Sequence, residues 1–258
     1  ERDTGGSVDV PAGTLSDEVR WGQGNADSEF TSVFYNMALP FGETELYSFG
    51  GYSNRTALGN GFYRNFDQAA KNVVQVYGDG FLPRIDNEAE DISFSLGLRG
   101  ELNPDWSYDV SAVYGENSYD FTSKNTLNAS YAAEYVANNP DASDADIVAN
   151  AGPNGGYSGG FRFDQTTVNA DLNGIVDIGR SEPLYVSVGA EYRKENYEIV
   201  PGEEASYACG LANSDSSYPA VNDSSVFAEC GFQAYNGLRP EASNKESRHS
   251  YAFYVNAE

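Results

Sequence analysis

The stretch DISFSLGLRGELNPDWSYDVSAVYG, residues 91–115, alternates apolar and polar residues twice around one tight reversal. Ile92, Phe94, Leu96 and Leu98 fall on one side of the first run, with Ser93, Ser95, Gly97, Arg99 and Glu101 on the other. Asn103, Pro104 and Asp105 then reverse the chain, because proline fixes its own φ and the flanking side chains bond local backbone. In the second run Trp106, Tyr108, Val110, Ala112 and Tyr114 share a side opposite Ser107, Asp109, Ser111 and Gly115. A period of two over about ten residues per arm has the length of a tilted strand that crosses a bilayer.

The same pattern recurs outward from this hairpin. Leu184, Val186, Val188, Ala190 and Tyr192 alternate with Tyr185, Ser187, Gly189, Glu191 and Arg193. Val168, Ala170 and Leu172 precede the turn at 179–183, and Tyr251, Phe253, Val255 and Ala257 alternate at the end. Upstream, Val33, Tyr35, Met37 and Leu39 lead into a turn at 40–43, and further strands are expected at about 15–24 and 44–54. Short turns alternate with long connections at about 55–90, 119–163 and 198–246, the asymmetry of short periplasmic turns and long external loops. The expectation is an all-β fold: an antiparallel transmembrane barrel segment of about eight strands. A secreted soluble sandwich that binds carbohydrate or calcium alternates in the same way and stays open at this point. So does a small closed barrel acting as a porin or adhesin.

Within the long connections, short helices are expected around residues 131–137 and 144–149, with Ser143 as N-cap, and a helical turn at 67–71. The glycine-rich run at 152–160 reads as a mobile tip.

Composition narrows the function. The 258 residues carry 39 acidic and 15 basic side chains, a formal charge of −24, which excludes the basic footprint of a nucleic-acid binder. A mean hydropathy of −0.51 is compatible with a barrel, in which only alternate strand residues meet lipid. No apolar run reaches the length of a spanning helix. Cys209 and Cys230, the two cysteines, lie in one long connection and are expected to bond in an oxidising compartment, worth roughly 3 kcal/mol. His249 is the sole histidine, which leaves a zinc site short of ligands and a Ser-His-Asp triad without support. The acids at 86–91 lack the spacing of a calcium loop, so neither metal nor cofactor is expected, and no catalytic residue is assigned.

Several phrases resemble TonB-dependent outer-membrane receptors. They are YSFGGYSNR at 47–55, GFYR at 61–64, GFLPRI at 80–85 and LGLRG at 96–100. YDVSAVYG at 108–115, NTLNAS at 125–130 and VGAEYRKENY at 188–197 complete the series. The resemblance implies a non-enzymatic active importer in the bacterial outer membrane. Its barrel, commonly of about 22 strands, is plugged by an N-terminal domain and energised through the TonB complex. The substrate would be a scarce nutrient such as a ferric siderophore, a vitamin or an oligosaccharide. Neither plug, TonB box nor aromatic barrel terminus is seen in the sequence, so residues 1–258 read as a partial barrel domain belonging to something larger.

On that reading Leu96, Leu98, Val110, Ala112, Val186 and Val188 face lipid, and Ser95, Ser111 and Ser187 face inward. The charged side chains Arg99, Glu101, Asp109, Asp171, Glu191 and Arg193 face the lumen, where they can pair with one another or with the plug. Arg64, Tyr77, Arg84, Tyr157 and Arg162 fall on expected outer loops or their bases and are the candidate contacts to a small-molecule ligand.

Overall fold

The computed structural model describes Gly22 and residues 24–258 except Asn222. The strand expected at about 15–24 lies almost wholly outside the described residues. Seven long strands form one antiparallel sheet: β1 (Asp27–Phe41), β2 (Thr44–Asn60), β5 (Arg84–Asn103), β6 (Trp106–Lys124), β7 (Gly155–Val176), β8 (Leu184–Pro201) and β9 (Asn244–Ala257). Each pairs with its sequence neighbour among these seven, and the described sheet ends in two edges, β1 and β9. A two-residue ribbon of β3 (Arg64–Asn65) and β4 (Gly80–Phe81) lies between β2 and β5 in the chain.

Register shows which residues share a face, because directly opposed residues of an antiparallel pair point the same way. Leu46, Leu98, Val110, Ala170, Ala190 and Phe253 lie on one face, and so do Leu96, Ala112, Val168, Tyr192 and Tyr251. Glu45, Arg99, Asp109, Asp171, Gly189 and Tyr254 form a row on the opposite face. Among the described residues no second sheet covers the apolar face: Leu98 is 45% exposed, Val110 46% and Phe253 81%. In a sandwich that face would be the core.

The strands run further than hydrophobic alternation alone indicates. The acids expected in a loop at 86–91 belong to β5, and β7 begins at Gly155, inside the run expected to be a mobile tip. Above Tyr114, β6 reverses its faces. Glu116, Ser118 and Asp120 continue the face of Val110, whereas Tyr119 and Phe121 continue the face of Asp109. β7 and β8 do the same, with Arg162 and Asp164 or Glu198 on the first face and Phe161, Phe163, Tyr197 and Ile199 on the second. Backbone pairing continues through the change, so the outer face turns polar without ending the strand.

The three connections left, 61–83, 125–154 and 202–243, are not structureless. They pack together as a cap with its own core, which includes Val73, Tyr77, Phe81, Leu127, Ala132, Ile147, Ala212 and Phe232. The helices expected near 131 and 144 are α1 (Ala129–Asn138) and α2 (Asp144–Asn150), and a short α3 spans Glu204–Tyr207. Ser143 caps α2 in a reciprocal box with Asp146. Hydrogen-bonded turns replace the expected helical turn at 67–71.

Candidate functional site

The polar face carries a network of charges beside aromatic rings. Arg99 pairs with Glu45 at 2.6 Å and lies 5.3 Å over the Tyr47 ring, and the Tyr47 hydroxyl donates to Asp109 at 2.7 Å. Tyr254 donates to Asp171 at 2.8 Å, and Arg193 pairs with Glu191 at 2.8 Å. Glycine makes the ring placements feasible. A Cβ at Gly97 would collide with Tyr47, and one at Gly189 would collide with Tyr254, so each ring lies across a neighbouring strand. The structure thus puts all six charged residues expected to face inward on the polar face. Arg99, Glu101 and Asp109 share one hollow of about 570 Å³, whereas Glu191 and Arg193 stand apart on β8.

Higher on the same face, Phe34, Gly51, Ser93, Gly115 and Phe163 line a hollow of about 490 Å³. Asp91 lies at its edge and accepts a hydrogen bond from Asn117 at 2.7 Å. Above it comes an aromatic cluster. Phe121 stacks on Tyr235 of the cap with ring centroids 4.3 Å apart and meets Phe161 edge-on at 6.0 Å; Phe161 stacks with Tyr197 at 6.4 Å. This cluster was missed by the sequence reading, although its signal is present. The alternation continues past Tyr114 with its phase inverted.

The five residues expected to contact ligand do not converge. Tyr77 is fully buried in the cap core, stacked on Phe81 at 4.3 Å, where it cannot meet a ligand. Its aromatic ring is a core side chain on a segment that the sequence shows only as a polar loop. Arg64 donates to Gln233 Oε1 at 2.9 Å and to the Phe62 carbonyl at 3.0 Å, fastening the ribbon to the third connection of the cap; burial lowers its pKa. Arg84 opens β5, opposite Asn60 and Lys124, at the base of the cap rather than on a loop. Tyr157 and Arg162 lie on β7, and both bond Asp120, at 2.6 and 2.8 Å. Burial first, then that hydrogen bond, pushes the Tyr157 phenol up to about 12.

The cap is held by paired polar contacts. Asn128 accepts from the Tyr131 amide at 3.3 Å and from Ser130 Oγ at 2.7 Å, and donates to the Ala205 and Ala208 carbonyls at 2.9 Å each. One buried amide therefore starts α1 and ties it to α3. Thr126 and Gln233 exchange two bonds, of 2.8 and 3.1 Å. Cys209 and Cys230 are bonded to each other, closing the third connection on itself.

Among the described residues no group of three His, Cys, Asp or Glu side chains converges as a metal site, and no helix is long and apolar enough to cross a membrane. Compared with known proteins, the chain matches no family model and no curated sequence.

Proposed function

We propose that this chain forms part of the barrel wall and the external cap of a bacterial outer-membrane receptor. In this reading it binds a scarce nutrient and imports it with energy delivered through TonB. The observation that carries the proposal is the exposed apolar face and the reversal at its upper margin. The apolar positions run over 106–114 on β6, 168–176 on β7 and 184–192 on β8. About nine to eleven tilted residues match the hydrocarbon thickness of a bilayer. Trp106 and Tyr108 mark one margin, and Tyr52, Tyr114, Tyr192 and Tyr251 mark the other, as amphipathic rings do at headgroup depth. Their upper line crosses the register obliquely: Tyr192 opposes Val168, which opposes Ala112, two residues short of Tyr114. Tilted barrel strands require that offset.

The buried hydroxyl within the band is satisfied. Ser48, on the apolar face, is bonded to the Tyr35 hydroxyl and donates to the Ser95 carbonyl, both at 2.8 Å. Lipid does not tolerate open sheet edges, so β1 and β9 need further strands for closure. The polar face would then line the lumen and meet a plug domain. The aromatic cluster would line the outer mouth beneath the cap, along the path of a small-molecule ligand.

Deleting residues 205–236 from the full receptor in living cells tests this division of labour. Expected is a barrel that still assembles and migrates as a heat-modifiable band, with energised nutrient uptake lost. Uptake unchanged by the deletion, or persisting after TonB is removed, would refute the receptor reading.

A further inference from the structure

The cap carries a cleft of about 540 Å³ beside α1, between the end of α2 and the segment that starts at Cys209. We infer that this cleft is a binding site for a neutral oligosaccharide. The inference rests on the chemistry of the lining, and the transport reading can fail without it.

Ala129, Ala132 and Ala133 bury one side of α1, and the helical period puts Tyr131, Glu134, Tyr135 and Asn138 together on the other. Tyr131 and Tyr135 are one turn apart and both line the cleft; Tyr135 packs against the cap core with part of its ring, which fixes it, and the remaining ring surface of the two can meet the apolar C–H faces of a pyranose. Asn138, Asn139 and Asn150 stand around them. Asn139 and Asn150 donate to the Tyr135 and Asp146 carbonyls at 2.8 and 2.9 Å, which holds their amide planes in place. An amide offers donors and acceptors side by side, the pairing a sugar hydroxyl requires.

The cleft is formed in advance. Glu134 Oε2 accepts from the Leu211 amide at 2.6 Å, and Ser130 Oγ accepts from the Gly210 amide at 2.9 Å, so the facing segment is fixed to α1. Its volume lies in the range of small-molecule sites. Charge selects within the class. Among the described residues no lysine or arginine lines the cleft, and Glu134 does, so phosphorylated and uronic-acid ligands are repelled. The polar lining also disfavours a purely apolar ligand.

The test is calorimetric titration of the intact protein in detergent with neutral hexasaccharides of glucose, xylose and mannose, and with a galacturonic-acid hexamer. Expected is saturable binding of at least one neutral probe and none of the acidic one. Tyr135→Ala should weaken that binding roughly tenfold, with Tyr135→Phe close to the parent. Asn138→Trp, on an exposed position at the cleft rim, should block binding while the melting temperature is unchanged. No binding by any neutral probe, equal binding of the acidic hexamer, or full binding by Tyr135→Ala and Asn138→Trp would overturn the assignment. Failure here leaves uptake by the receptor untouched, so the two proposals are separable.

Discussion

At the scale of single residues, Asn128 and Tyr157 carry the sharpest consequences. Asn128 is buried and makes four hydrogen bonds that join α1 to α3. Asn128→Ala removes a helix cap and leaves two buried carbonyls and one hydroxyl to find other partners. The expected cost is about 2–3 kcal/mol, confined to the cap. Hydrogen exchange should show faster exchange along α1 with β5, β6 and β7 still protected; unchanged α1 protection would contradict the role assigned to Asn128. Tyr157 acts through protonation. Its folded pKa of about 12 lies above the ordinary phenol value of 10.0, so the neutral form is favoured in the folded state. That stabilisation is complete below pH 10 and is lost as pH rises toward 12. Proteolysis near the start of β7 should accelerate across this window, and Tyr157→Phe should remove that acceleration. An ultraviolet titration in which all tyrosines ionise near pH 10 would contradict the assignment. Neither role was legible in the sequence. Asn128 reads as one polar residue in a loop, and Tyr157 meets Asp120 only through strand pairing across 37 positions.

At the scale of elements, alternation was readable where one face of the sheet is apolar and the other polar. That condition holds for residues 92–114 and 184–192, whose strands and faces follow from the sequence. It fails for Asp86, Glu88 and Glu90, which point away from the cap on a strand whose other face is also partly polar. Hydrogen-bond pairing extends those strands, and pairing leaves no hydropathic trace. The cap helices were legible for a local reason: Ser143 and Asp146 form their box within one turn. The core that joins the three connections depends on contacts distant in sequence, so a ligand set drawn from loop aromatics and cations placed Tyr77 wrongly. The disulfide belongs to this scale as well. Cys209 and Cys230 lie 21 positions apart, and closing a loop of that size is worth about 3 kcal/mol. Reduction should therefore speed chymotrypsin cleavage within 202–243, at Tyr207, Phe227 or Tyr235, several-fold, with the sheet still protected. Equal cleavage rates with and without reductant would show that the hydrogen bonds of the segment hold it without the disulfide.

At the scale of the whole molecule, the chain has two environments joined by continuous strands. Below the tyrosine line the sheet exposes apolar side chains and turns its charged network the other way. Above it the faces exchange polarity, and the buried core lies in the cap. The proposed lipid surround below and water above would account for both halves with one boundary, which neither a sandwich nor a sheet wholly in water does. Spin labels placed singly in the assembled receptor test this most directly, by comparing relaxation by lipid-soluble oxygen with relaxation by a water-soluble nickel chelate. Labels at Leu98, Val110, Ala170 and Val188 should respond to oxygen, and labels at Ser111, Asn169 and Ser187 to the chelate. On β6 the preference should switch between Ala112 and Ser118, so that a label at Ser118 meets water although it lies on the face of Val110. Chelate access at Val110 and Val188 equal to that at Ser111 and Ser187 would contradict the membrane assignment.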